Sequence, residues 1–179
     1  MAAAHVILLR SVNVGGANRL QMGPLRQALT DAGLRSVRTY VQSGNIVADW
    51  DGPAAPLAER VRDTLAASFG LSVPVTVRTA AELADVAARN PFPEQAQLDP
   101  KLLQVTFLAH APDPRLIERA VAQASDGERL HVSGRELYTW HPDGIGRSKL
   151  ALALAKSAPD GVATSRNWRT VSALLEIAG

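Results

Sequence analysis

The chain has 179 residues, 46% of them hydrophobic and 20% charged, which is the composition of a folded globular protein rather than a disordered one. It contains no cysteine, so a disulfide framework, a thiolate nucleophile, an iron–sulfur cluster and a Cys-ligated zinc are all excluded. Nineteen Lys+Arg against 17 Asp+Glu leave a formal charge of +2, too little to argue strongly for a nucleic-acid partner.

In chain order, His5–Leu9 is a continuous apolar run and predicts a strand buried on both faces. A Gly- and Asn-rich loop, Ser11–Arg19, leads into helical spacing at Met22, Leu25, Ala28, Leu29 and Ala32, which Gly33 stops. Val37, Thr39 and Val41 then alternate with Arg38, Tyr40 and Gln42. Ser43-Gly44 reads as a two-residue hairpin loop, placing Val41 opposite Ile46 and Thr39 opposite Ala48. A helix is expected from about Pro56 to Phe69, closed by Gly70, and a strand over Val73–Val77. Thr79 and Glu82 have the spacing of a capping box ahead of another helix.

Pro91, Pro93 and Pro100 mark a break, since none fits a helix interior or a central strand. Beyond it the same order returns. Leu102–Leu108 is a strand, Asp113-Pro114 starts a helix, and Ser133-Gly134 turns a second hairpin in which His131 faces Glu136. A helix over Ser148–Lys156, a short strand over Val162–Thr164 and a last helix through Trp168, Val171, Leu175 and Ala178 complete it. The two Ser-Gly pairs are 90 residues apart, and Met22 and Asp113 are 91 apart. The prediction is therefore an α+β fold: two βαββαβ lobes of ferredoxin-like order, with antiparallel or mixed sheets, each followed by an extra helix. The N-terminal lobe is expected over residues 1–90, a Pro-containing linker over 91–101 and the C-terminal lobe over 102–179.

Three segments could carry chemistry. The first is Arg10-Ser11-Val12-Asn13-Val14-Gly15-Gly16-Ala17-Asn18-Arg19, which joins a buried strand to a helix, where α/β sheets often bind ligands. Gly15-Gly16 permits positive φ, so backbone N–H groups could hold an anion. The segment lacks both the P-loop ending and the dinucleotide glycine spacing, and a plain Asn-stabilised turn is its structural alternative. The second is Tyr40-Val41-Gln42-Ser43-Gly44-Asn45, whose Tyr40, Gln42 and Asn45 would share the face opposite the apolar one; ordinary hairpin chemistry is the alternative. The third pairs Gly144-Ile145-Gly146-Arg147-Ser148-Lys149 with Thr164-Ser165-Arg166-Asn167-Trp168-Arg169-Thr170. Each sets cations at a helix N-terminus, where acids are preferred. A bound phosphate would resolve that conflict, as would pairing with Asp143, Asp160 or Glu176. His5, His110, His131 and His141 show no metal-binding spacing, and no cofactor is expected.

Taken together, the strings Leu8-Leu9-Arg10-Ser11-Val12-Asn13-Val14-Gly15-Gly16, Thr39–Asn45, Asn90-Pro91-Phe92-Pro93 and Thr164–Thr170 resemble the bacterial family known as domain of unknown function 1697. Ser11 departs from it, a glycine being expected after the arginine. The resemblance implies two α+β subdomains of ferredoxin-like character and no established reaction, and it raises the weight of one shared site over four separate turns.

The leading functional expectation is a binding module for a phosphorylated ligand, either a nucleotide or a nucleic-acid backbone. Its ligand-binding candidates are Arg10, Asn13, Gly15, Gly16, Gln42, Ser43, Asn45, Arg147, Ser148, Lys149, Arg166 and Asn167. An enzyme acting on an anionic small molecule without a covalent intermediate, and motifs that are purely structural at the lobe seam, remain the alternatives. No stretch approaches the roughly 20 apolar residues of a membrane span, and residues 1–10 lack a signal-peptide pattern. A cytoplasmic protein without a membrane partner is expected.

Overall fold

The computed structural model describes residues 3–16, 18–157 and 163–179. The first apolar run forms β1 (Ala3–Leu9), which pairs antiparallel with both β3 (Asn45–Trp50) and β4 (Val75–Thr79). With β2 (Arg35–Tyr40) at the edge, the sheet order is β2-β3-β1-β4. This inner position accounts for the unbroken apolarity of β1: Val6, Ile7, Leu8 and Leu9 are at most 1% exposed, because neither face meets water. One face carries Ile7, Leu9, Ile46, Ala48, Val75 and Val77 into a core completed by α1 (Met22–Asp31) and α2 (Ala54–Phe69) through Leu25, Leu29, Leu57, Val61 and Leu65. Each fully buried aliphatic side chain there contributes about 1.5–3 kcal/mol. α3 (Ala80–Ala88) opens with the expected reciprocal cap: the Thr79 N–H donates to Glu82 Oε2 at 2.8 Å, and the Glu82 N–H donates to Thr79 Oγ1 at 3.0 Å.

The proline-marked break contains a short helix, α4 (Pro93–Leu98), where loop was expected. Pro93 occupies its first turn, where a missing N–H leaves no hydrogen bond unmade. The second half then repeats the first. β5 (Leu103–Phe107), β6 (Arg129–Ser133), β7 (Glu136–Trp140) and β8 (Thr164–Asn167) form an antiparallel sheet of order β6-β7-β5-β8. α5 (Pro114–Val121) is capped by Asp113, whose Oδ1 accepts the Arg115 N–H at 2.9 Å. It packs with α6 (Lys149–Ser157) around Ala120, Leu150 and Ala153, and α7 (Trp168–Ala178) follows β8 directly. The short strand lies at Thr164–Asn167 rather than Val162–Thr164; Val162 is outside the described residues. The fold is thus α+β, with two sheets in the strand order of a ferredoxin-like βαββαβ unit. The chain separates into two compact units, one of Met1–Asp85 with Ala173–Gly179 and one of Val86–Ser172.

Both hairpins close differently from the two-residue Ser-Gly expectation. In the first, Tyr40 pairs with Asn45 and Thr39 with Ile46, leaving Val41–Gly44 as a four-residue turn. The wider turn is held by a bond from the Leu9 N–H to the Gly44 carbonyl at 2.8 Å and by the Asn45 side chain, which donates to the Tyr40 carbonyl at 3.2 Å. In the second, Ser133 pairs with Glu136, so Gly134-Arg135 is the turn and His131 faces Tyr138, not Glu136. Glu136 instead meets Arg89 at 3.8 Å.

Candidate functional site

Five residues of the first loop lie in the left-handed region: Ser11 (φ 54°), Asn13 (55°), Gly15 (58°), Gly16 (79°) and Asn18 (49°). The glycine expected at position 11 would adopt such a φ without strain, whereas Ser11 must be held there. Asn13 organises the loop. Its Nδ2 donates to the carbonyls of Leu20 at 2.8 Å and Gln42 at 2.6 Å, and its Oδ1 accepts the Leu20 N–H at 2.8 Å. Asn18 Nδ2 closes the loop onto the Ser11 carbonyl at 2.9 Å.

The bond to Gln42 joins this loop to the Val41–Gly44 turn. There, Asn45 Nδ2 also donates to Ser43 Oγ at 2.9 Å. Gly44 has φ 72°, and a Cβ on it would stand 2.7 Å from the Leu9 Cβ, so no larger residue fits undisturbed. Val41, β-branched and exposed, sits at φ 51°. That backbone costs about 1–2 kcal/mol for a non-glycine residue and persists only where surrounding contacts over-determine it.

Asn13, Gln42, Ser43 and Asn45 are therefore brought together in the first unit. They do not share an open face, as the narrower hairpin would have given them: Asn45 is fully buried, Tyr40 half-buried and Gln42 exposed. Arg10 is half-buried just past β1, its own N–H donating to the Pro74 carbonyl at 3.0 Å. Its guanidinium meets no described residue through a hydrogen bond or ion pair. Gly15 and Gly16 are exposed, with no described atom within 4 Å of where a Cβ would project.

The second unit answers the conflict at the start of α6 with a residue of its own. Ser148 caps the helix, its Oγ accepting the Ala151 N–H at 2.8 Å. Glu128 Oε2 accepts the N–H groups of Ser125 at 2.7 Å and Leu150 at 3.1 Å, and the Ser148 hydroxyl donates to the same carboxylate. Glu128 Oε1 faces His141 Nδ1 at 3.4 Å, the two side chains being 4% and 1% exposed. A carboxylate only accepts, so Nδ1 carries the proton and Nε2 accepts from Thr139 Oγ1, 2.8 Å away. Burial alone would raise the Glu128 carboxyl, but these donors hold it below its ordinary value. Burial holds His141 below its ordinary value, against the pull of Glu128.

At α7, Asn167 Oδ1 accepts the Thr170 N–H at 2.9 Å and so caps the helix. Arg166, opposite Val105 in the sheet, donates from Nη1 to the Ser165 carbonyl at 2.8 Å, and burial pushes its ionisation down to about 10. Arg147 and Lys149 are exposed and meet no described residue through their side chains. Glu128, His141 and Thr139 have no place among the residues singled out from sequence. The signal that could have found Glu128 is Ser125-x-x-Glu128, the spacing of Thr79-x-x-Glu82. It is masked because Gly127, at φ 82°, turns the chain and no helix follows.

Over residues 2–138 the chain matches the model of the family described as "Protein of unknown function (DUF1697)". The chain belongs to the DUF1697 family. A solved structure, that of the conserved bacterial protein SP0830 from Streptococcus pneumoniae, is similar with a TM-score of 0.80 at 22% identity, covering 100% of both chains. At that identity the likeness shows the fold alone. No curated protein matches. Among the described residues of this DUF1697 chain, no group of three or more His, Asp or Glu could hold a metal ion, and no helix is long and apolar enough to cross a membrane.

Proposed function

We propose that the loop end of the first unit binds a phosphorylated ligand, a nucleotide or a length of nucleic-acid backbone. The observation that carries this reading is Arg10, a half-buried residue whose guanidinium has no described partner. Its loop contains an exposed left-handed Gly15-Gly16 pair. Arginine forks and backbone N–H groups together are what a phosphate oxygen requires. Asn13, Ser43 and Asn45 serve the site by fixing the two loops, and the exposed Gln42 amide is left to contact the rest of the ligand. In the second unit, Ser148 and Asn167 are engaged in capping and Arg166 is half-buried.

Melting curves of the wild type and Arg10→Ala against phosphate, sulfate, nucleotides and short DNA and RNA test the reading. A ligand-specific rise in the wild type that disappears in Arg10→Ala supports it. A rise that Arg10→Ala retains, or none for any ligand at low salt, overturns it. Nucleic-acid binding would weaken by powers of ten as salt rises, whereas a nucleotide would saturate at one per chain with little salt dependence.

The structural alternative has support of its own, since Asn13, Asn45 and Asn167 each spend their side chain on groups of their own unit. Under that alternative Arg10→Ala changes no ligand response. The enzyme alternative gains nothing from the His141–Glu128 pair, which is buried away from any substrate.

A further inference from the structure

A surface helix is expected to turn polar side chains to water, and one that is apolar all round is normally covered. α6 departs from the first pattern. Its inward side is Leu150 and Ala153, with Leu154 partly buried. Its exposed positions include Lys149, Leu152, Ala155 and Lys156, with Leu152 57% exposed. Ile145, in the turn just before the helix, is 49% exposed. Within α6, positions 149, 152 and 156 recur at intervals of three and four, which places them along a single helical stripe, whereas Ile145 belongs to the turn that the extended backbone of Ser148 separates from the helix. An apolar centre thus lies between two lysines about 10 Å apart along the axis. Residues 144–157 contain Arg147, Lys149 and Lys156 and no acid, and they hold two of the three lysines in a chain that otherwise uses arginine. The inner side is fixed by Glu128 and Ser148, so this stripe is presented on a helix whose start is anchored.

We infer that the outward stripe of α6 is a docking surface for an acidic amphipathic helix of a partner protein, one with carboxylates seven residues apart flanking apolar side chains. Charge complementarity selects this occupant. A second copy packed antiparallel on the same stripe would set lysine against lysine. Phosphates of a nucleic acid would satisfy the lysines but leave Leu152 and Ile145 against a polar backbone. An acidic helix answers both the charge and the apolar centre, the helix-in-groove logic of paired carboxylates and knobs. This surface is independent of the loop-end reading above and uses neither Arg10 nor Asn13.

The test uses the full chain and a fluorescein-labelled synthetic helix with Glu at positions i and i+7 and Leu at i+3 and i+4, followed by anisotropy. Lys149→Glu with Lys156→Glu should weaken binding about tenfold or more, and Leu152→Ser about threefold or more. All three positions are exposed, so the melting temperature of the variants should stay at the wild-type value. The inference is overturned if the probe does not bind, or if a probe with its leucines replaced by serine binds equally well. It is also overturned if duplex DNA or phosphatidylserine vesicles displace the probe while Leu152→Ser has no effect, which would make the surface merely cationic. Sedimentation showing a wild-type dimer that Leu152→Ser dissociates would assign the stripe to a second copy instead.

Discussion

The two halves of the chain build the same sheet, yet they treat the same end of it differently. In each, the end of the inner strand binds back to the hairpin turn: the N–H of Leu9 donates to the Gly44 carbonyl at 2.8 Å and that of Leu108 to the Arg135 carbonyl at 2.9 Å. In the first half that junction carries a long loop, a four-residue turn and strained backbone. All five non-glycine residues with positive φ among those described, Ser11, Asn13, Asn18, Ser36 and Val41, fall in the first half, and four of them lie in these two loops. In the second half the turn shrinks to Gly134-Arg135 and the polar groups are gathered inward around Glu128. The comparison separates a frame, which both copies keep, from an elaboration that only one of them supports. Stored strain in one copy is a pointer to function there, while a satisfied buried network in the other is a pointer to stability.

The largest expected effect lies in the second half. Glu128→Ala leaves the Ser125 and Leu150 N–H groups, the Ser148 hydroxyl and His141 without their acceptor. The loss should be about 3–5 kcal/mol, because several hydrogen bonds to a charged acceptor go at once, roughly 10 °C or more in melting temperature for a chain of this length. A loss under about 1 kcal/mol would mean that solvent replaces the carboxylate. The next effect compares the two turns directly. Gly44→Ala places a Cβ 2.7 Å from Leu9, whereas Gly134→Ala meets nothing nearer than Arg89 Nη1 at 3.9 Å. The first should cost about 2–4 kcal/mol, from steric displacement and left-handed backbone together, and the second about 1–2 kcal/mol from backbone alone. Equal losses by denaturant titration would erase the claimed difference between the junctions.

Acidification should act through the second half. As pH falls through the ordinary histidine value of 6.5, the unfolded chain takes up a proton that buried His141 resists, so stability declines. Below the ordinary carboxylate value of 4.5, the unfolded chain protonates a Glu128 that the fold keeps ionised, and stability declines further. Denaturation midpoints measured from pH 8 to pH 4 should fall as pH drops through the histidine range and again toward pH 4, and a flat or rising profile would contradict both environments. The smallest effect has the opposite sign. Val41→Asn, at φ 51°, relieves part of the strain because asparagine tolerates this region, and should stabilise by up to about 1 kcal/mol. If the strained valine serves the ligand, the same variant should bind less well.

Features set by neighbours in sequence were legible from it. The Thr79–Glu82 cap, the Asp113 cap, Gly70 as a left-handed helix end and the inner position of β1 all follow from spacing and residue type. The repeat of element order led to the sheet topology for the same reason. The register of the first hairpin was not legible, because it is decided by the Leu9 N–H reaching the turn from β1 and by the Asn45 side chain bonding back across it, rather than by Ser43-Gly44. Glu128 was missed because its partners, Leu150 and His141, lie more than ten residues away. The cations beside it at the start of α6 point to a bound phosphate or to Asp143, Asp160 or Glu176, whereas the carboxylate that meets this helix start is Glu128, from a loop that no spacing ties to it. At the loop end, Asn13 and Gly15-Gly16 stood out by composition. That the Arg10 side chain meets no described residue became visible only in the structure.

The division of the chain also bears on how the molecule is made. The first unit draws its last piece, Ala173–Gly179, from beyond the second, which is built from the uninterrupted stretch Val86–Ser172. During synthesis a domain folds once its residues have left the ribosome. The half translated first therefore receives its last piece only after the half translated second, and a stop placed after Ser172 would leave the later unit whole while truncating the earlier one.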